Sequence, residues 1–346
     1  MKSNSNLLVF NFAMDPYDPL LSHQYEAVLA LANDFNKITV ITGRIGLTIS
    51  DPRIRIISTN WRPGHRLINV LMLFVKATPE IVRGDFNSVF YHMTDLQSAL
   101  LSPFVKLRRR RQFLWYAHTF KSKYLVFASW WVTGIVTSTR GSCPLTGNFV
   151  TPIGQAIDQE RFRPINFANL DFDKLVHIGR FDKSKNVDVL ISTAVALKKI
   201  LPSIELTIVG SPANQESQDW AKDLILDSKP LIERGWLHFK DSIPREEFPI
   251  EMCNNGCFFH AYLGSLDKTL IESTMLRVPV VTLNPEYINI FGTWSKLPNS
   301  DLKDEYLAFR DLTSDEVDLE LGRRLEVARQ DHSLQNWIAQ LTKLLQ

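Results

Sequence analysis

Short apolar runs rich in Val, Ile and Phe recur along this chain, each separated from the next by a longer helix-period pattern. That alternation admits few folds. Strand-like runs lie near Leu7–Phe12, Ile38–Thr42, Ile54–Ser58, Val89–His92, Phe113–Ala117, Ile135–Ser138 and Phe149–Ile153. A second series lies near Leu175–Gly179, Leu206–Gly210, Leu237–Phe239, Gly256–His260 and Val278–Leu283. Helices are expected between them, for example at Ser22–Asn33, with Ser22 as N-cap and Leu29 and Ala32 on the apolar face, and at Asp188–Ile200, ended by Pro202. Strands alternating with helices imply parallel sheets covered on both faces. Two such series predict an α/β protein of two doubly wound, Rossmann-like domains facing a cleft. The domains are placed at residues 1–160 and 161–332, joined near Asp158–Phe172, where Arg163-Pro164 and Asn166 interrupt the periodicity. Ser333–Leu345 reads as a closing amphipathic helix, and residues 333–346 are free to pack back on the first domain. A length of 346 residues suits two domains at roughly 150 residues each.

Composition narrows the class. With 45% hydrophobic and 22% charged residues, a largely disordered or collagen-like chain is excluded. Three cysteines, Cys143, Cys253 and Cys257, are too few and odd in number for a disulfide framework, which favours a reducing, cytoplasmic compartment. No second Cys or His pair stands at zinc spacing, so these residues are read as small buried hydrophobes and no metal is expected. The run Leu7–Phe12 lacks the features of a signal peptide. The apolar stretch Leu67–Val75 is about half of the roughly 20 residues that cross a bilayer. No membrane span is expected.

The net charge of +2 conceals an asymmetry. Between Asp95 and Asp158 lie 62 residues without a carboxylate, carrying Lys106, Arg108, Arg109, Arg110, Arg111, Lys121, Lys123 and Arg140. Leu96, Leu100, Phe104 and Leu107 recur there at helical spacing, and Lys106 with Arg108–Arg111 would close the helix, where the dipole favours cations. Five charges in six residues exceed that need. An anionic membrane surface or lipid-phosphate acceptor is the leading partner for Lys106 and Arg108–Arg111, against a simple solvated face. Nucleic acid is not expected, because Trp115, Tyr116, Trp130 and Trp131 fall in strand or core patterns rather than in a stacking surface.

Ligands of doubly wound sheets sit at the carboxyl ends of strands, where helix N-termini offer N–H groups and positive dipole ends. There the sequence reads His177-Ile178-Gly179-Arg180-Phe181-Asp182-Lys183-Ser184-Lys185, a strand ending in Gly-Arg with a lysine five residues on. A guanidinium and an ammonium aimed at one point suit a pyrophosphate. Taken alone, the segment reads better as a solvated loop, since Lys183 and Lys185 are unexceptional on a surface.

Context comes from Ile204–Gly210 and from Gly264-Ser265-Leu266-Asp267-Lys268-Thr269-Leu270-Ile271-Glu272, which is followed by Arg277-Val278-Pro279-Val280-Val281. With these pieces in order, residues 175–283 resemble the nucleotide-sugar-binding domain of retaining glycosyltransferases of the GT-B fold, family 4 (glycosyl transferases group 1). Gly154–Phe162 is similar to the hinge of that family, and His118, after Trp115-Tyr116-Ala117, to its active-site histidine. The resemblance implies sugar transfer from a nucleotide-diphosphate sugar, with retention of configuration, to a glycan or lipid-linked acceptor. It implies that Arg180 and Lys185 neutralise the leaving diphosphate and that Glu272 binds the ribose hydroxyls. Gly179 and Gly210 would close the strands beside the donor, and the backbone around Ser265–Lys268 would cradle it. Base recognition would fall near Lys240–Pro244. The nucleotide sugar is a substrate and no cofactor is implied. A cytoplasmic enzyme of cell-surface polysaccharide synthesis, peripheral on the inner face of the membrane, is the expectation.

Two departures stand out. The first of the family's paired glutamates falls on Gly264, and Asp267-Lys268 replaces a Gly and a small or apolar residue. Asp267 is expected to bind sugar hydroxyls and Lys268 to assist the phosphates, against the simpler alternative that Asp267 caps a helix. The glycine-rich turn after the first strand is replaced by Ala13–Pro19, where a helix N-terminal anion site ahead of Ser22 is conceivable. Asp171-Phe172-Asp173 mimics a metal-binding motif but precedes its strand, away from the carboxyl ends. Dinucleotide, P-loop and serine-hydrolase motifs are absent. An epimerase of the same fold, or a non-catalytic nucleotide-sugar or membrane-binding module, is the alternative reading.

Overall fold

The structure, a computed structural model, describes residues 5–18, 21–46, 50–166, 170–212 and 214–346. The chain divides into two compact units, the first running to Ala156 and resuming at Leu334–Gln346, the second spanning Ile157–Ser333.

The first unit runs β1 (Asn6–Met14), α1 (Ser22–Leu31), β2 (Lys37–Ile45), β3 (Ile54–Ser58), α2 (Arg66–Arg83), β4 (Ser88–His92), α3 (Asp95–Leu107), β5 (Arg111–Trp115), α4 (Lys123–Ser129), β6 (Gly134–Thr137) and β7 (Val150–Pro152). Among the described residues its strands form one parallel sheet in the order β3-β2-β1-β4-β5-β6-β7. Successive side chains of a strand point to opposite faces, so β1 feeds two cores. Leu8 and Phe10 meet Leu73, Ala77 and Ile81 of α2, Ala99, Leu101 and Val105 of α3, and Leu125 and Ala128 of α4. Leu7 and Val9 face Ala27, Val28 and Leu31 of α1.

The second unit runs β8 (Lys174–Ile178), α5 (Val187–Lys198), β9 (Glu205–Val209), α6 (Gln215–Asp227), α7 (Lys229–Glu233), β10 (Leu237–Lys240), α8 (Phe248–Cys253), β11 (Cys257–His260), α9 (Lys268–Met275), β12 (Val280–Thr282), α10 (Pro285–Phe291), α11 (Leu302–Arg310) and α12 (Ser314–His332). Its parallel sheet has the order β10-β9-β8-β11-β12. Leu175, Leu206 and Ile208 pack on α5 and α11. Val176, Ile178 and Phe258 pack on α8, α9 and Ala328 of α12. The chain ends in α13 (Leu334–Leu345), whose Trp337 sits in the α1-side core of the first unit, its ring 5.5 Å from that of Trp115.

All the strand-like runs named above coincide with strands, the central ones buried on both faces and the edge strands β3 and β10 partly exposed. Several local expectations fail. Ser22 is the first helical residue of α1, and Leu21 holds the N-cap position; Asp18 accepts the Leu21 N–H at 2.9 Å. The Asp18 carboxylate also pairs with Arg44, so a carboxylate already stands where an anion site was conceivable. Pro19, the end of that segment, lies outside the described residues. In α3 the predicted apolar stripe is not the buried face. Phe104 and Leu107 are exposed, while Gln97, Ser98 and Ser102 are buried beside Ala99, Leu101 and Val105. Cys253 and Trp130 are exposed rather than in the core. Among the described residues no helix is long and apolar enough to cross a membrane.

Candidate functional site

In the second sheet the strand order reverses between β8 and β11, and the loops that leave both strands at this point carry most of the singled-out residues. The strand ends approach closely. A Cβ on Gly210, after β9, would lie 1.8 Å from the Gly179 carbonyl oxygen, so only glycine fits. Arg180 follows Gly179, half exposed, with its Nε 3.8 Å from Asp182.

Lys185 is brought inward by a tight turn. Asp182 accepts from Ser184 N–H at 3.1 Å, and Asn186, in the left-handed region at φ 52°, ends the turn and donates its side-chain amide to Ala261 O at 2.9 Å. The Lys185 side chain is 7% exposed, and its Nζ lies 2.5 Å from Asp267 Oδ2 and 3.9 Å from the centre of the Tyr262 ring. The carboxylate and the ring face together hold this side chain in place.

Asp267 Oδ2 takes a second hydrogen bond from His260 Nε2 at 3.0 Å. His260 Nδ1 lies 3.1 Å from Thr282 Oγ1, which itself accepts from Asn284 N–H at 3.0 Å. The hydroxyl proton of Thr282 is therefore directed at Nδ1, and the His260 ring proton sits on Nε2, facing Asp267. Burial pushes the His260 imidazole below its ordinary value despite the carboxylate beside it, so the ring is neutral. Burial works against the charge on Asp267, but the Lys185 ammonium and the His260 hydrogen bond outweigh it and hold the carboxyl well below the usual carboxylate range.

Asp267 occupies the N-cap position of α9, yet its side chain caps nothing. It turns to Lys185 and His260 instead, which disposes of the capping alternative and leaves the first turn of α9 without a side-chain cap. The hydroxyl of Thr269 in that turn is buried and has no hydrogen-bond partner among the described residues. The loop ahead of it is fixed by the Asn284 side-chain amide, which donates to the carbonyls of Tyr262, Gly264 and Ser265 at 2.9, 3.2 and 3.3 Å. Ser265 is buried and Lys268 half-buried at the helix start. A Cβ on Gly264 would stand 2.1 Å from the Tyr262 hydroxyl, so a larger residue there displaces the ring that covers Lys185. The missing first glutamate and the Tyr262–Lys185 contact are one arrangement.

Glu272 lies one turn into α9, 1% exposed, with Oε1 paired to Arg245 and Oε2 buried without a partner among the described residues. His118 lies in the first unit beyond β5, exposed, its ring 5.6 Å from that of Tyr116. The structure thus joins Lys185 to Asp267 and Gly179 to Gly210. Glu272 it places under Arg245. His260, Tyr262, Thr282, Asn284 and Arg245 were not singled out in the sequence. A histidine at a strand end drew attention to His118, and the same signal was present at His260. Asp173, of the discarded Asp171-Phe172-Asp173 motif, accepts from Arg310 and from the hydroxyls of Ser203 and Tyr306, a structural role.

Residues 158–289, within the second unit, match the family model described as glycosyl transferases group 1. No curated protein sequence matches the chain. Among solved structures, HepE from Anabaena in complex with UDP-glucose is similar at 12% identity with a TM-score of 0.74, covering 99% of both chains. Sucrose-phosphate synthase from Thermosynechococcus elongatus is similar at 14% identity and 0.73, over 99% of this chain and 98% of that one. A glycosyltransferase from Rickettsia africae matches at 12% and 0.71, over 99% and 98%. These likenesses show the fold, two doubly wound domains of the GT-B kind, as the strand pattern and motifs led one to expect.

Proposed function

We propose that the protein is a retaining, metal-independent glycosyltransferase that moves a sugar from a nucleotide-diphosphate sugar to a glycan or lipid-linked acceptor in cell-surface polysaccharide synthesis. The observation that carries this reading is the buried Lys185 ammonium, held by Asp267 at the start of α9 and beside the strand end that bears Arg180. Glycosidic cleavage puts negative charge on the departing diphosphate, and preorganised cations and helix-terminal amides are what such a charge requires. Lys185 supplies one buried charge and Arg180 a half-exposed one. The α9 first turn, with no side-chain cap, supplies amides, and Thr269 and Lys268 add donors beside them. This charge set leaves no step for which a metal must be invoked.

Asp267 then serves the sugar. Its Oδ2 is taken by Lys185 and His260, while the side chain keeps 26% of its surface, enough for Oδ1 to accept from a sugar hydroxyl. Glu272 is the ribose ligand in this reading, with the donor's ribose hydroxyls meeting the unpartnered Oε2 as Arg245 shifts aside. His118 is a catalytic residue in this reading. The bound UDP and UDP-glucose of the HepE structures favour a uridine nucleotide as the first donor to try. The free thiols Cys143, Cys253 and Cys257 fit a reducing cytoplasm.

The test is a thermal-shift and calorimetric screen with UDP, GDP, ADP and their sugars. At least one nucleoside diphosphate raises the melting temperature, and Glu272→Gln weakens that nucleotide more than it weakens inorganic pyrophosphate. A chain stabilised by none of them is not this enzyme.

A further inference from the structure

The layer formed by α2, α3 and α4 on one face of the first sheet buries one side of each helix and leaves large apolar side chains on the other. On α2 the exposed residues Leu67, Leu71 and Val75 recur at helical spacing, opposite buried Leu73, Ala77 and Ile81. The layer is continuous. Phe74 meets Phe104 of α3 edge-on at 6.2 Å, Arg66 donates to the Tyr124 hydroxyl of α4 at 2.6 Å, and Arg108 donates to the carbonyls of Ile81 and Val82 and so ties the end of α2 to the end of α3. Leu107 and Trp130, 82% and 70% exposed, extend the apolar set onto α3 and α4.

Charge is distributed with equal bias. From Arg62 to Thr133 there are eleven Lys and Arg against three carboxylates. Those carboxylates are engaged elsewhere: Glu80 pairs with Arg55 at 3.0 Å, Asp85 accepts from Asn6 at 2.9 Å, and Asp95 sits in the first turn of α3. Arg83, Lys106, Arg109, Lys121 and Lys123 are exposed on these helices and their ends. The basic run singled out in the sequence is therefore partly misassigned. Arg108 is spent on α2 carbonyls and stacks on Phe86, and Arg110 is half-buried. Lys106 and Arg109, at the end of α3, and Arg111, at the start of β5, remain exposed, while the exposed apolar stripe lies on α2.

We infer that the α2–α3–α4 face docks flat on an anionic lipid surface, with Leu67, Leu71, Val75, Leu107 and Trp130 entering the headgroup region and the flanking cations holding lipid phosphates. A helix lying in an interface needs an apolar stripe bordered by Lys and Arg, with aromatic residues at headgroup depth, and this face has each component. A second copy of the chain seated on the same face would set like charges against each other across the two-fold axis. The inference does not rest on the donor-site reading, and its test needs no nucleotide.

The full chain is floated with phosphatidylcholine vesicles and with vesicles that contain phosphatidylglycerol as the minor component. Binding is expected on the anionic vesicles only, falling with salt. Lys106→Ala with Arg109→Ala lowers that partitioning roughly 25-fold, from about fivefold per cation. Leu71→Asp with Val75→Asp, at exposed positions, lowers it more than tenfold with the melting temperature unchanged. Brominated lipid quenches tryptophan emission in the wild type, and Trp130→Phe removes most of that quenching. Equal binding to neutral and anionic vesicles, binding to neither, or wild-type binding by the Leu71/Val75 variant overturns the inference. A dimer dissolved by Leu71→Asp without lipid, or tighter binding to RNA than to the anionic vesicles, assigns the face to that partner and overturns it equally.

Discussion

Lys185 Nζ and Asp267 Oδ2 lie 2.5 Å apart across 82 residues of sequence, and this pair ties the loop after β8 to the start of α9. The pair has two effects. It fixes the ammonium in one position, and in the absence of substrate it cancels the charge that a diphosphate would seek.

Replacing Lys185 by Ala is expected to weaken nucleotide binding and to cut turnover by about 10²–10³-fold, the usual loss when a fixed donor to a developing anion is removed. It also leaves Asp267 uncompensated, at about 2–3 kcal/mol of stability, toward the low end for a broken buried pair because Asp267 retains some solvent contact. Lys185→Met with Asp267→Asn should recover most of the melting temperature and none of the activity. Recovery of activity in the double variant would show that the ammonium is not needed.

Asp267→Ala should separate the two effects. With its counter-ion gone, Lys185 is available to phosphate, so affinity for the bare nucleoside diphosphate rises by about tenfold, while turnover of the sugar donor falls by at least as much. Calorimetry on the diphosphate and steady-state kinetics on the sugar donor read the two quantities independently. Unchanged turnover and unchanged donor affinity would remove Asp267 from the site.

Acid should destabilise the second unit before most carboxylates titrate. His177, His260 and His332 are buried, and burial pushes all three imidazoles down, His177 to about 3 and His332 to about 4. As pH falls through about 6.5 the unfolded chain takes up protons on these rings and the folded chain does not. The unfolded state then binds more protons, so stability rises with pH across this window and is lost on acidification, by about 1.4 kcal/mol per pH unit for each histidine. Asp267, whose folded carboxyl is held low, adds its own loss only below about pH 3.9. Urea denaturation between pH 7 and pH 4.5 measures the slope, and His332→Gln should reduce it by one histidine's share. A flat profile over that interval contradicts the buried, neutral assignment.

Gly210→Ala places a methyl group against the Gly179 carbonyl and must part the ends of β8 and β9. A loss of about 2–4 kcal/mol is expected, in the range for a forced backbone shift. Nucleotide affinity should fall with it because Arg180 moves with Gly179. Gly235→Ala, an open position at φ 77° with nothing within 4 Å, should cost less and leave nucleotide binding intact.

The strands were legible because their signal is local: a short apolar run rich in Val, Ile and Phe, bounded by turn residues, looks the same whatever surrounds it. The failures share the opposite property. Ser22 lost the N-cap position because Asp18, bound to Arg44 from β2, reached Leu21 first. The α3 stripe was assigned to the wrong side because Ser98 and Ser102 are small enough to pack against the sheet, and apolarity alone does not report that. At the site, Gly179, Arg180, Lys185 and Glu272 stood in recognisable spacings. Of the partners that define their electrostatics, His260 ends β11 and carried the strand-end signal that was given to His118, whereas Tyr262 and Arg245 lie in loops and carry no spacing signal. Asp267 stood out as a departure from the family pattern, but its engagement by Lys185 and His260 is visible only in three dimensions.

Trp337 closes the core between α1 and the first sheet, yet it is synthesised after every residue of the second unit. On the ribosome the unit begun first must therefore wait, with Val28, Leu31 and Phe90 uncovered on that side, while the unit begun second emerges and can assemble its own sheet. The order of translation and the order of completion are reversed.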